Sequence, residues 1–311
     1  MKSTFIFPGQ GSQSVGMLSQ AAEHWPIIEK TFAEASSLLG YDLWHLCQQG
    51  PAEELNQTTV TQPALLTASV ALWRQWFVAG GASPDFVAGH SLGGYSALVA
   101  AQSLNFFDAI KLVRLRGELM QTAVPAGTGK MAAIIGLEDD QVIAACEEAA
   151  NGDVVSAVNF NAPGQVVIAG SADAVERAIE ACKSKGARKA MPLPVSVPSH
   201  CALMKGAAEE LAEALEEVAF NDAVIPVVQN VTARPETDSA TLKANLVRQL
   251  YSPVLWTDSV RAMAEQKVGV AVECGAGKVL AGLAKRIDRD LKVYGIEDPD
   301  ALAKALDGFR Q

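Results

Sequence analysis

The spacing of apolar positions predicts an alternation of short strands and longer helices. Thr4 to Phe7 reads as a short buried strand that stops at Pro8-Gly9, where a glycine-rich turn follows. Ala64 to Trp76 carries apolar residues at helical spacing. Asp85 to Ala88 reads as a strand running straight into Gly89, and Tyr95 to Ala101 is again helical. The stretch 85–101 is therefore a strand, a tight turn and a helix.

The pattern changes from Met131 onward. A strand (Met131–Ile135), a helix (Asp139–Ala149), two strands (Val154–Asn159 and Gln165–Ala169), a helix (Ala172–Lys185) and a strand (Lys189–Leu193) follow one another. This βαββαβ order predicts a ferredoxin-like unit inserted into a larger α/β body. Pro125-Ala126-Gly127 and the prolines 192, 194 and 198 mark the two hinges. The expected division is a large α/β-hydrolase-like body over 1–127 and 196–311, with the ferredoxin-like subdomain over 128–195. Further strands are predicted at Val224–Val231 and Val268–Glu273.

Composition narrows the function classes. Of the 311 residues, 49% are hydrophobic and 19% charged, enough apolar material for a sizeable core. The formal net charge of -10 repels phosphate backbones and argues against nucleic acid as a partner. MKSTFIFPGQG has too short an apolar run for a signal peptide or a membrane span, so a cytoplasmic protein is expected. Cys47, Cys146, Cys182, Cys201 and Cys274 are scattered and lack CxxC spacing, which indicates reduced core residues rather than disulfides or a zinc site.

Gly89-His90-Ser91-Leu92-Gly93 has the GxSxG form of a nucleophile elbow, a sharp strand-to-helix turn that exposes a serine hydroxyl. Glycines on either side relieve crowding, and the following helix aims its free N–H groups at developing negative charge. The alternative is an ordinary glycine-bracketed turn. A serine needs a base, and the chain has four histidines. His24 and His45 lie in amphipathic helical stretches, and His90 would point away from its neighbour Ser91. His200, in a loop just past the insert, is left as the candidate, with a structural histidine as the alternative.

Phe7-Pro8-Gly9-Gln10-Gly11-Ser12-Gln13 is a second glycine-rich turn after a strand. A dinucleotide fingerprint matches poorly because Ser14 stands where a third glycine is needed. The turn also reads as an oxyanion-hole loop, with the Gln10 N–H complementing that of Leu92, or as a packed turn. Arg114 and Arg116 sit two apart on an otherwise apolar helix and point to different faces. Were Arg116 buried without a protein carboxylate, a substrate carboxylate would be its natural partner; a solvent-facing arginine is the alternative.

Together these residues make the chain closely resemble the malonyl-CoA:acyl-carrier-protein transacylases of bacterial fatty-acid synthesis. The likeness runs through 7–13, Thr61-Gln62-Pro63-Ala64, the elbow, Asn159-Phe160-Asn161, Pro198-Ser199-His200 and Gln249-Leu250-Tyr251-Ser252-Pro253-Val254. The resemblance implies Ser91 as nucleophile, His200 as base, Gln10 and Leu92 as oxyanion donors, and Arg116 as clamp on the malonyl carboxylate. It implies that the Gln249 backbone carbonyl orients His200 and that Asn159 and Asn161 lie near the acyl pocket. Malonyl-CoA and acyl carrier protein are the implied partners, with no metal or cofactor; a monomer is the expectation, which no residue pattern in the sequence fixes. Gly94 departs from the acidic residue common in the family at that position, at about 0.5–1 kcal/mol of helix propensity. An acidic carrier needs a basic patch, for which Lys183, Lys185, Arg188, Lys189, Lys278, Lys285 and Arg286 are candidates beside the plain reading of a solvated face. The rival readings are a serine thioesterase or hydrolase of the α/β-hydrolase type and a catalytically silent carrier-binding scaffold. That hydrolase fold expects Ser, then an acid, then a late His, an order this chain lacks.

Overall fold

The computed structural model describes residues 2–195 and 197–309 as a mixed α/β protein with two sheets. The strands are β1 (Lys2–Phe7), β2 (Phe86–Gly89), β3 (Gly129–Ile135), β4 (Val155–Ala162), β5 (Gln165–Ser171), β6 (Lys189–Pro192), β7 (Val227–Val228), β8 (Pro235–Glu236), β9 (Val268–Glu273) and β10 (Lys292–Gly295). Six of them form one sheet in the order β10-β9-β1-β2-β7-β8, parallel except for the β7–β8 hairpin. The other four form an antiparallel sheet in the order β4-β5-β3-β6.

Strand alternation explains how the larger sheet is covered on both faces. Phe5 and Phe7 enter one apolar cluster with Phe32, Trp76, Leu92 and Tyr95, whereas Ile6 between them enters another with Trp256, Val260 and Leu283. The smaller sheet divides likewise. Ala132 and Ile134 face the helices Asp139–Ala150 and Ala172–Ser184, while Met131 joins Val158, Val167, Ala169 and Cys201 on the opposite side. That second face receives the residue next to His200. A further tie fastens the small sheet: Phe160 N–H donates to the Val254 carbonyl and Val254 N–H to the Val158 carbonyl.

Most predicted elements lie within a few residues of their expected places, including Val268–Glu273 and the helix Thr58–Val78, which contains Ala64–Trp76. The strand expected over Val224–Val231 shrinks to Val227–Val228. Pro226 has no N–H to contribute to a ladder, Val224 is exposed, and the chain turns back through Gln229–Arg234 into β8. The early turn delivers Asn230 beneath the serine turn. All five cysteines are buried and free. Among the described residues no helix is long and apolar enough to cross a membrane, and no group of His, Cys, Asp and Glu could hold a metal ion.

Candidate active site

The site gathers at the carboxyl ends of the parallel strands, where open α/β sheets place their crevices. Gln10 follows β1, Ser91 follows β2 and Asn230 follows β7. Between β2 and the helix Gly93–Ala100 the chain reverses so sharply that side chains at both glycines are excluded. A Cβ on Gly89 would lie 1.9 Å from the Gly93 carbonyl carbon, and one on Gly93 would lie 2.0 Å from the Phe7 carbonyl oxygen. Ser91 takes a positive φ of 51° at the apex, a conformation costly for a non-glycine residue and held only by its surroundings.

The apex points at His200. Ser91 Oγ lies 2.8 Å from His200 Nε2, and His200 Nδ1 lies 2.7 Å from the Gln249 carbonyl oxygen. Since that carbonyl can only accept, Nδ1 carries the proton and Nε2 is the free acceptor facing the hydroxyl. His200 is buried, also at positive φ (65°), and its own N–H donates to the Leu250 carbonyl. Burial, followed by the neighbouring Arg116 charge, pushes its pKa down to about 3. The imidazole is thus neutral and ready to accept a proton throughout the neutral range.

Arg116 is completely buried on the helix Phe106–Thr122. Its partners are all uncharged: Nη1 donates to Gln62 Oε1 at 2.8 Å, and Nη2 reaches Ser91 Oγ at 3.2 Å and Gln249 Oε1 at 3.3 Å. Nε has no partner among the described residues, and the guanidinium lies 5.7 Å from the Tyr95 ring centroid. Arg114, two residues earlier, is exposed and pairs with Glu118. The two faces separate as the spacing requires.

The Gly9–Gln13 turn presses against the elbow. His90 N–H donates to the Phe7 carbonyl, and a Cβ on Gly9 would come within 2.5 Å of the His90 carbonyl oxygen. Gln10 Oε1 accepts from Thr58 Oγ1, which fixes the turn to the start of the helix bearing Gln62. Neither the Gln10 nor the Leu92 N–H has an acceptor among the described residues. His90 turns away from Ser91, to Asn161 Oδ1 at 2.8 Å and toward the Trp256 ring. Asn159 Oδ1 is buried with no partner among the described residues.

Two amide side chains were not assigned site roles by residue type or motif. Gln62 lay inside a matching motif, but nothing in the sequence paired it with Arg116. Asn230 Oδ1 accepts from the Ser91 N–H and from Gln249 Nε2, and its Nδ2 donates to the Gly89 carbonyl. Asn230 falls inside the apolar run Val224–Val231, and nothing in the sequence marks it as a partner of Ser91. Gly94 abuts this cluster, since a Cβ there would stand 3.2 Å from Gln249 Nε2. The basic candidates scatter. Lys183 and Lys185 pair with Glu180 and Glu148, and His24 and His45 lie on short helices outside the Ser91–His200–Arg116 network. Arg286 instead donates to Gln165 and to the Pro163 carbonyl, and the exposed Arg188 lies over Gly136, whose N–H donates to Gly164. Arg188 and Arg286 thus border the same β4–β5 turn.

The depressed His200 pKa has a determinate sign. The folded value lies below the ordinary 6.5, so its contribution to stability is complete above pH 6.5 and is lost as pH falls toward 3. The acid limb of Ser91 labelling by a neutral serine-directed phosphonate is expected below pH 6.5, and Arg116→Ala should move it upward by removing a like charge. A limb at or above 6.5 in the wild type, or one unmoved in the variant, contradicts this electrostatic picture.

Known proteins are similar to this chain over nearly its whole length. The family described as "Acyl transferase domain" matches residues 4–294. The malonyl CoA-acyl carrier protein transacylase of Salmonella typhimurium is 62% identical over 302 residues, covering 97% of this chain and 98% of that protein. The solved structure of the malonyl CoA-acyl carrier protein transacylase from Coxiella burnetii is similar with a TM-score of 0.99 at 45% identity, over 100% of this chain and 98% of that one. A type II PKS acyl-carrier protein's malonyl-transacylase, solved in complex with that carrier, is similar at TM-score 0.97 and 56% identity, over 99% and 100% of the two chains. With the family matched over residues 4–294 and a relative 62% identical across 97% of the chain, this protein, which pairs Ser91 with His200 at a tight strand-to-helix turn, belongs to the acyl transferase domain family.

Proposed function

We propose that this enzyme transfers a malonyl group from malonyl-CoA to the phosphopantetheine thiol of acyl carrier protein through an ester on Ser91. One observation carries the choice of acyl group: Arg116 is a fully buried cation beside the nucleophile whose protein partners are all neutral. A buried charge is costly unless paired, and a malonyl carboxylate supplies the missing counter-charge through two parallel N–H···O bonds. Acetyl leaves that charge unpaired, so the site discriminates by what the wrong substrate fails to satisfy.

The cycle has two mirrored halves. Ser91 Oγ gives its proton to His200 Nε2 and attacks the thioester carbonyl carbon; the Gln10 and Leu92 N–H groups receive the oxyanion. The C–S bond then breaks, and the CoA sulfur takes the proton from His200. In the second half the carrier thiol gives its proton to His200 and attacks the ester, and Ser91 Oγ leaves and is reprotonated. The neutral Gln249 carbonyl orients the imidazole without the charge stabilisation that a triad carboxylate gives an imidazolium. Asn159 and Asn161 line the acyl side. No cofactor enters, since side chains and backbone supply every group the cycle uses.

The same reading divides the chain into an α/β-hydrolase-like body (1–127 and 196–311) and a ferredoxin-like subdomain (128–195). The β4-β5-β3-β6 order with two helices on one face supports the second assignment. It has the enzyme work as a cytoplasmic monomer and receive the acidic carrier at Arg188, Lys189, Lys285 and Arg286. All four side chains are exposed, and two of them border the β4–β5 turn.

Intact-protein mass spectrometry after brief mixing with malonyl-CoA tests the cycle. A malonyl adduct is expected that is absent in Ser91→Ala and is discharged by carrier thiol. Steady release of malonate without an adduct would favour the hydrolase reading, and neither outcome the scaffold. Charge reversal at Arg188 and Lys189 should slow discharge to the carrier while leaving acylation by malonyl-CoA intact; unchanged carrier kinetics would remove that docking surface.

A further inference from the structure

Asn230 lies outside the proposed cycle, yet its side chain bonds the backbone on both sides of the serine turn, at the Ser91 N–H and the Gly89 carbonyl, and the Gln249 side chain. The side chain is 5% exposed and sits in the turn just past β7. Oδ1 accepts from the Ser91 N–H at 2.8 Å, and Nδ2 donates to the Gly89 carbonyl at 2.7 Å, so one amide spans the elbow from one side of its apex to the other. The second lone pair of Oδ1 accepts from Gln249 Nε2 at 2.9 Å, and that same Nε2 donates to the Ser91 carbonyl at 3.1 Å. Both backbone groups of Ser91 are therefore engaged by one pair of coupled amides.

This arrangement answers the strain at Ser91. A serine at φ 51° relaxes unless its surroundings hold it, and an N–H turned inward at a tight apex needs an acceptor that the helix does not provide. Asn230 provides it and is itself fixed, because its own carbonyl accepts from the Leu255 N–H. It also orients its neighbour. With both Gln249 Nε2 hydrogens committed to Asn230 and Ser91, Gln249 Oε1 faces Arg116.

We propose that Asn230 is a positioning residue for acylation, holding the Ser91 backbone so that Oγ stays in line with His200 Nε2. The inference rests on the reading of Ser91 as the acylated nucleophile. Binding of the substrate carboxylate stays with Arg116, which keeps Gln62, so the effect falls on the rate of acylation and not on substrate affinity.

The test compares single-turnover acylation by malonyl-CoA, followed as the Ser91 adduct, in the wild type, Asn230→Ala and Asn230→Asp, with thermal midpoints measured alongside. Wild-type acylation is established first; if no Ser91 adduct forms there, the functional reading has failed and not the role of Asn230. Asn230→Ala is expected to acylate about 100-fold more slowly, the size of effect seen for small misplacements of a reacting group, with KM for malonyl-CoA changed by less than about 3-fold. Asn230→Asp keeps both acceptor contacts but loses the donor to Gly89, so it should fall between. Ser103→Ala, which removes a partly buried hydrogen bond to the Asn221 carbonyl away from the site, should lower the thermal midpoint and leave acylation unchanged. Wild-type acylation by folded Asn230→Ala would overturn the proposal, as would a loss shared equally by Ser103→Ala. If Asn230→Ala does not fold, wild-type speed in Asn230→Asp overturns it.

Discussion

A guanidinium buried without a counter-ion is the constraint around which this active site is arranged. Arg116 could lower its cost by pairing with a glutamate or aspartate, and among the described residues it does neither. Two glutamine carbonyl oxygens, a serine hydroxyl and an aromatic face hold it instead. Neutral partners keep a cation in place without cancelling it, and burial acts to lower its pKa. The charge is left available to a ligand, and it reaches His200 as well, where after burial it helps keep the imidazole neutral.

The fold meets this constraint by crowding polar groups at one end of a parallel sheet. Gly89 and Gly93 allow the serine turn to pack against β1, and the Gly9–Gln13 turn closes over it. Gln249 then acts as a hub: its carbonyl holds His200, its Nε2 holds the Ser91 carbonyl, and its Oε1 faces Arg116. His200, Ser91 and Arg116 are thus all tied to one residue on the helix Ser239–Tyr251. His200 gains a second anchor through Cys201, which packs into the far face of the smaller sheet.

Much of this was legible in the sequence, and the parts that were not have physical reasons. Local pattern identified the strand–turn–helix around Ser91 because glycine spacing and apolar runs are set within a few residues. His200 could be reached by elimination among four histidines. Burial of Arg116 could be posed only as an alternative, since it depends on what packs over its helix face. The strand at Val224–Val231 was overestimated because an apolar run does not reveal where the ladder ends; Pro226 and the turn at Gln229 do. Asn230 and the Gln62 contact with Arg116 were invisible for a related cause. Their partners lie 139 and 54 residues away, and such pairings exist only once the chain has folded.

The claim that Arg116 awaits a substrate carboxylate is tested most directly by the ratio of kcat/KM for malonyl-CoA to that for acetyl-CoA, measured in the wild type and in Arg116→Ala. The account predicts that the ratio collapses in the variant, with malonyl transfer falling far more than acetyl transfer. Equal losses for both substrates would mean that Arg116 serves the Ser91–His200 pair or the packing around it, and that the acyl group is chosen elsewhere.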